Sequence, residues 1–226
     1  MSWTKRRFKT NKMDIDHIFI FADRKGKVAD ELVSFGLTEN GSRVHDGQGT
    51  KNRTFVFENF FFEILWVHNE QEIKSNNVLP TGLWTRANFK SNRISPFGLC
   101  IANTDQTNEL FKDAFHYQPA YFPAGMMIDV LNNDQNLFLP WTFRLPFKRD
   151  RERQLKPIRH KNGIKSLTKA EFQFTGINDE HFLTCFKDQD GIRFLQTEKI
   201  WLTLVFDNRS QGLTKTFNEL KLTIAY

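Results

Sequence analysis

Two ionisable residues lie inside apolar segments of this sequence and are the first candidates for chemistry. His17 lies in DHIFIFA, and Glu63 lies in FFFEILWV. Both segments are short and rich in β-branched and aromatic residues, which is typical of buried strands. Strand alternation places His17 on one face with Ile15 and Phe19, and it places Glu63 on one face with Phe61.

A carboxylate on such a face needs a partner. Burying an ionised carboxylate costs several kcal/mol unless the group is paired or bound to a metal. An imidazole or a divalent cation could be that partner for Glu63. Spacing alone leaves two other interpretations open: a His17–Glu63 hydrogen bond in the core, or a strand whose polar side faces solvent.

A third candidate, His45, lies in the glycine-rich segment RVHDGQGTKN. It is either a solvated loop residue or a functional group, because a neutral imidazole can act as a general base or as a metal ligand near pH 7. His17, His45 and Glu63 together would supply two histidines and one carboxylate. Such a set leaves coordination positions open for a substrate.

The order of the predicted elements positions these residues. A strand at 16–22, a helix near 26–35 and several strands form a first pass. A second pass begins with a strand at 96–103 and continues with a helix near 104–116, and a weaker third pass begins at 166. A repeat of this kind predicts an α+β fold of duplicated βαβββ modules. The alternative is a generic α+β domain with coincidental periodicity.

The distribution of charge, together with the order of the predicted elements, divides the chain into five segments. We expect a basic tail at 1–12, a first module at 13–95, a second module at 96–146, a basic connector at 147–163 and a strand-rich third module at 164–226. The formal net charge is +6. Residues 1–12 hold five basic residues and no acid, and residues 144–161 hold eight basic residues and two acidic ones. The rest of the chain is therefore net acidic, which argues against a nucleic-acid partner.

The cysteines and the apolar runs of the sequence indicate the cellular compartment of the protein. Cys100 and Cys185 each lie inside an apolar run, which suits buried thiols in a reducing compartment better than a disulfide. No apolar run approaches the roughly 18 residues that a membrane span needs, and no signal peptide is recognisable. We therefore expect a soluble cytoplasmic protein with no membrane partner.

Several motifs, taken in order, resemble the glyoxalase-like group of the vicinal oxygen chelate (glyoxalase/bleomycin resistance/dioxygenase) superfamily. They are the DH strand, a helix ending in FGL, an H-x-x-x-G-T-x-N turn from His45 to Asn52, and the strand that contains Glu63. The segment NLFLPW around Trp141 and the H-x-N-G motif that begins at His160 are also similar to that group. The resemblance covers about residues 14 to 170.

The resemblance implies curved mixed sheets around a cup-shaped pocket that holds a divalent metal such as zinc, iron, manganese or nickel. In that superfamily a His on the first strand and a Glu on the last strand of each module bind the metal. His17 and Glu63 match the positions of the first module. The second module departs from the pattern, because Phe97 and Gly98 lie where a ligand is expected. The predicted ligand set is therefore incomplete.

Two functions follow from the resemblance. The first is a metal-assisted lyase, isomerase or dioxygenase acting on a small, partly apolar molecule, with His17 and Glu63 as metal ligands and His45 as catalytic residue. The second is a non-catalytic small-molecule-binding module of the bleomycin-resistance type. Pairing of modules between two chains, as in a homodimer, is left open. The predicted ligand-binding residues are Phe19, Phe61, Leu65, Trp141 and His160.

Overall fold

The computed structural model describes residues 13–131, 136–148, 158–176 and 180–226. It confirms the predicted α+β class: the described residues form two mixed β-sheets and a few short helices. The basic tail and residues 149–157 of the basic connector lie outside the described residues.

Strands and helices are numbered in chain order. The strands are β1 Ile15–Phe21, β2 Gly41–His45, β3 Thr50–Val56, β4 Phe61–Val67, β5 Phe97–Ile101, β6 Phe115–Tyr117, β7 Ile128–Val130, β8 Trp141–Arg144, β9 Leu167–Phe174, β10 Ile192–Gln196, β11 Trp201–Phe206, β12 Thr214–Phe217 and β13 Leu222–Ala225. The α-helices are α1 Ala29–Ser34, α2 Glu70–Ile73, α3 Leu83–Ala87, α4 Phe89–Asn92 and α5 Glu180–Cys185.

The first sheet has eight strands in the order β2-β3-β4-β1-β5-β8-β7-β6. Strand β1 pairs in parallel with β4, and β5 pairs in parallel with β8. The two halves meet where β1 pairs antiparallel with β5. Each half is thus one module that begins at the centre of the sheet and ends beside its own first strand, so the two modules lie side by side.

The second sheet has five strands in the order β10-β9-β11-β13-β12. Strands β9 and β10 are parallel around α5, strands β11 and β13 are parallel, and β9 pairs antiparallel with β11. This pattern repeats the first sheet with fewer strands. The third pass of the sequence therefore forms this second sheet.

The main core lies between the two sheets. Ile18, Ile64 and Leu99 of the first sheet belong to one apolar cluster with Phe172 and Leu204 of the second sheet, and each is at most 1% exposed. Burying a side chain of this size contributes about 1.5–3 kcal/mol. We call the opposite face of the eight-stranded sheet, which turns away from this core, the cup face.

A β-bulge in β1 corrects the predicted alternation. Ile15 pairs with Ile101 and His17 pairs with Cys100, so two residues of β1 oppose one residue of β5. Ile15 therefore belongs to the core between the sheets rather than to the face that carries His17. A bulge interrupts the two-residue period, and no local sequence signal showed it.

The prediction of a helix near residues 104–116 is wrong. The segment forms one 3-10 turn, Asp105–Thr107, and it then continues as turns into β6. The Thr107 hydroxyl donates to the carbonyl oxygens of Thr104 and Ala102, and such side-chain bonds to the backbone compete with a helix. Phe111, which lies in this segment, is nevertheless buried in the core.

The predicted module boundaries stay predictions. Residues 68–96 do not continue the strand pattern of the first module, because α2, α3 and α4 lie there between β4 and β5. Among the described residues no helix is both long enough and apolar enough to cross a membrane.

Candidate functional site

The cup face carries a group of ionisable side chains near the starts of β1 and β4. His17 and Glu63 lie on these adjacent parallel strands, and they are 6% and 8% exposed. The register continues across β3 and β2, where Asn52 lies opposite Leu65 and Arg43 lies opposite Asn52. Alternation therefore gathers acid, base and amide groups from four strands on one face.

Glu63 is held by a single neighbour among the described residues. Its Oε1 accepts a hydrogen bond of 3.0 Å from the Asn52 side-chain amide. Burial raises the pKa of Glu63 above its usual 4.5, and the opposing effects of His17 and the Asn52 bond do not cancel that rise. This carboxyl group therefore keeps a proton at a higher pH than an exposed glutamate does.

The His17 ring lies between aromatic neighbours and an acid. It stacks on Phe61 with ring centroids 4.3 Å apart and meets the edge of Phe143 at 5.2 Å. Its Nδ1 lies 2.8 Å from Oδ1 of Asp16, which the bulge places beside it. Burial lowers the pKa of His17, but electrostatic attraction to Cys100 and the hydrogen bond to Asp16 outweigh this effect, so the pKa is raised well above its usual 6.5.

His45 is the last residue of β2, not a loop residue as the turn motif predicted. Its Nδ1 lies 2.8 Å from the Thr50 hydroxyl, and its ring lies 5.3 Å from the Tyr121 ring. Burial lowers the pKa of His45 to about 4, and the positive charges of Arg43 and His17 act in the same direction. The imidazole is therefore neutral at neutral pH.

This lowered pKa predicts a pH-dependent stability. The unfolded chain protonates His45 below about 6.5, whereas the folded protein does so only near 4, so the free energy of unfolding should rise as the pH rises from 4 to 6.5. The contribution of His45 is at most about 3 kcal/mol. We expect His45→Gln to flatten urea-unfolding stability over this window, while substitution of the exposed His181 should not. Parallel curves for wild type and His45→Gln would contradict the prediction.

A loop closes the cup over His45. Residues 118–127 connect β6 to β7, and the Tyr121 hydroxyl donates to Oε1 of Gln48 over 3.0 Å. The contact is close, since a Cβ on Gly47 would lie 2.7 Å from Cβ of Ala120. The Arg43 guanidinium lies 5.3 Å above the Tyr121 ring. The β2–β3 turn and this loop thus meet across the mouth of the cup.

The deeper part of the cup is filled by the chain itself. Phe19, Leu65 and Trp141 belong to an apolar cluster with side chains of the inserted segment 68–96, and the Trp141 indole donates to the Thr81 carbonyl oxygen at 2.7 Å. We call the inserted side chains in this cluster the plug. Its buried members are Ile73, Val78, Leu83, Phe89 and Ile94.

The predicted site residues therefore separate into three groups. His17, Glu63, His45 and Phe61 come together at the mouth of the cup. Phe19, Leu65 and Trp141 line the cup face but pack against the plug. His160 lies elsewhere: its ring is 4.4 Å from the Phe57 ring in the core between the sheets, and its Nδ1 accepts from the Thr38 backbone amide. The functional roles predicted for all of them stay predictions.

A metal centre made of His17 and Glu63 alone does not fit this arrangement. A catalytic zinc site takes three protein ligands. Where a second-module ligand was expected, Gly98 faces the Phe19 ring so closely that a Cβ there would lie 2.0 Å from it. Among the described residues, the donor group whose ligand atoms lie within 4.8 Å of one another is Asp16, His17 and Cys100.

Sequence reasoning missed several contributors to the site, and Asp16 beside His17 is one of them. Alternation from Gly98 would have put Cys100 on the cup face, and the H-x-x-x-G-T-x-N turn contains Asn52, but neither residue was assigned a role. Arg43 precedes His45 by two residues and so shares its face. Tyr121 comes from a loop that folds across the cup, and no sequence pattern indicates such a contact.

No protein-family model and no curated protein matches this sequence. A hypothetical protein from Staphylococcus aureus has a similar structure, with a TM-score of 0.57 and 12% identity over 94% of this chain and 98% of that one. A variant of methylmalonyl-CoA epimerase from Streptomyces coelicolor, in complex with 2-nitronate-propionyl-CoA, matches 59% of this chain and 96% of its own at a TM-score of 0.40 and 16% identity. A mutant of 4-hydroxymandelate synthase from the same organism matches 86% of this chain and 71% of its own chain. Its TM-score is 0.48 and its sequence identity is 8%.

At these identities the likeness concerns the fold alone. The protein's own topology agrees with it, because two modules of the βαβββ type meet through their first strands in one mixed sheet, and a shorter sheet repeats the arrangement. The protein therefore shares its fold with the hypothetical protein from Staphylococcus aureus over nearly the whole length of both chains.

Proposed function

We propose that this protein is an enzyme of the lyase or isomerase class that transfers a proton on a small, partly apolar molecule. Glu63 is the group that takes or returns the proton. The observation that carries the proposal is the position of this buried carboxyl, whose pKa is raised, on the same face as a neutral His45. Burial shifts the pKa of each group away from its usual value, and titratable groups perturbed in this way on one face are typical of active sites.

The surroundings of Glu63 suit proton transfer. A carboxyl group whose pKa is raised by burial can accept a proton and return it closer to neutral pH than an exposed one. Asn52 fixes Oε1, which leaves Oε2 as the oxygen that can face a substrate. Glu63 is 8% exposed as a residue, so it is not completely sealed from solvent.

His45 supplies the second proton-carrying group. Its Nδ1 is engaged with the Thr50 hydroxyl, so Nε2 is the ring nitrogen that remains for a substrate. A neutral imidazole can donate a hydrogen bond to a developing oxyanion or accept a proton from a neighbouring carbon or oxygen. The roles of Glu63 and His45 as acid and base can then alternate within one reaction.

Two other features indicate the kind of molecule. The exposed guanidinium of Arg43 at the mouth can bind an anionic group such as a carboxylate. The half-buried Phe61 ring beside His17 supplies an apolar wall. The plug limits the depth of the cup, which favours a small substrate.

An exchange experiment tests this proposal even while the substrate is unidentified. The protein is incubated in deuterium oxide with a panel of small carboxylic acids that carry an acidic C–H bond, and deuterium incorporation is measured by mass spectrometry. We expect enzyme-dependent incorporation into at least one anionic, partly apolar member. Incorporation into none of them, in a panel that includes members shown to bind, would contradict the proposal.

The same experiment addresses the non-catalytic binding module. That function would need exposed aromatic walls for stacking, and Phe19, Leu65 and Trp141 are instead covered by the plug. Binding of panel members without deuterium exchange, unaffected by substitution of Glu63, would favour the binding module.

A further inference from the structure

We infer that the cup holds a second functional centre, a zinc-class metal site whose ligands are Asp16, His17 and Cys100. This site goes beyond the proposed proton transfer, which does not require it. It also differs from the ligand pair that the sequence resemblance implied, since Glu63 takes no part and Cys100 comes from the first strand of the second module.

The geometry of the first sheet brings these donors together. The bulge in β1 turns Asp16 and His17 toward the same neighbour, and the register places Cys100 directly opposite His17. One carboxylate oxygen, one imidazole nitrogen and the Cys100 sulfur then lie within 4.8 Å of one another. Small shifts of side chains alone would bring the three atoms to the roughly 2.0–2.3 Å bond lengths of a zinc ion.

The chemistry of the set selects the metal. Thiolate, imidazole and carboxylate are the three ligand types that Zn²⁺ takes in proteins, and three ligands leave a fourth tetrahedral position open. On binding, the Cys100 thiol and the protonated His17 imidazole each release a proton to solvent, and the metal–sulfur and metal–nitrogen bonds form. The thiolate and the Asp16 carboxylate then balance the two positive charges of the ion, so the loaded cluster carries no net charge in its apolar surroundings.

The burial of the three residues is graded from the surface inwards. The Asp16 side chain is 30% exposed and the His17 side chain 7% exposed, whereas Cys100 is fully buried. An ion can therefore reach the site past Asp16 and be held from behind by the thiolate. Phe61 and Phe143 pack on the His17 ring and fix its plane, which is the kind of support a metal ligand needs.

The chain offers a matched control for the thiolate. Its other cysteine, Cys185, is at the end of α5 beside the second sheet and is partly exposed. The full-length protein is purified without chelator, its zinc content is measured by mass spectrometry, and Co²⁺ is then exchanged into it. We expect about one zinc ion per chain and a near-ultraviolet sulfur-to-cobalt charge-transfer band, with both lost in Cys100→Ser and both kept in Cys185→Ser.

Two further variants separate this inference from the proposed function. Asp16→Asn should weaken zinc affinity by at least about tenfold, while Glu63→Gln should leave zinc content and the cobalt band unchanged even where it stops deuterium exchange. A protein that takes up neither zinc nor cobalt, or a cobalt complex without the sulfur band, would overturn the inference. Loss of the metal in Glu63→Gln with retention in Cys100→Ser would overturn it as well. If Cys100→Ser fails to fold, the band in wild type and Cys185→Ser still decides whether a thiolate binds the ion.

Discussion

Replacing Glu63 with Gln should reduce the rate of deuterium exchange by about 10²–10⁴-fold, the range that a positioned acid–base group contributes. The amide keeps the shape of the side chain but cannot take a proton from carbon. Asn52 can still donate to the remaining carbonyl oxygen, so the contact across β3 and β4 is preserved. The measurement is the initial rate of incorporation into the panel member that the wild-type protein labels fastest.

The same variant should be at least as stable as the wild type at neutral pH. A raised carboxyl pKa means that the folded state binds the proton more tightly than the unfolded chain, so the wild type loses stability as the pH rises above about 4.5. Glu63→Gln has no such loss, and its advantage in urea unfolding should therefore grow with pH. Glu198→Gln, which alters an exposed carboxylate between β10 and β11, should change neither quantity. An unchanged exchange rate in Glu63→Gln would remove Glu63 from the reaction, whatever the stability data show.

Alternation and element order predicted the part of the fold that depends on local pattern. In a strand such as FFFEILWV, successive side chains point to opposite faces of the sheet. Strand β4 places Glu63 on the cup face, as this alternation requires. The order of strand, helix and strands indicated the module type, because connections between adjacent elements are short. These features are properties of neighbouring residues, and a single sequence contains them.

The remainder of the site depends on contacts between distant segments. The bulge at Asp16 arises from the pairing of β1 with β5, and the approach of Tyr121 to Gln48 joins residues 73 positions apart. The plug segment was assigned no structure, since its helices are four or five residues long and too short for a helical period to show. The motif that begins at His160 does not indicate on which side of the sheet the His160 ring lies. That position is set by its packing against Phe57, which is distant in the sequence.

Replacing Phe89 with Ala should lower the free energy of unfolding by about 3–5 kcal/mol, the cost of a large cavity in a packed apolar cluster. Phe89 lies in α4, is 4% exposed, and belongs to the plug that covers Phe19 and Trp141. Urea unfolding measures the change. The slope of the unfolding free energy against urea concentration should stay the same, because the variant exposes the same surface on unfolding.

The plug offers its own control for this prediction. Leu79, in the same inserted segment, is 49% exposed, and its replacement with Ala should change stability by no more than about 0.5 kcal/mol. A vacated Phe89 site should also bind a small apolar probe such as benzene, because apolar cavities of this kind stay dry and accept such molecules. If Phe89→Ala does not fold, Phe89→Leu removes less volume and should show a smaller loss in the same direction. Equal effects of Phe89→Ala and Leu79→Ala would mean that the segment does not fill the cup, and the aromatic walls would then be free for the stacking that a binding module requires.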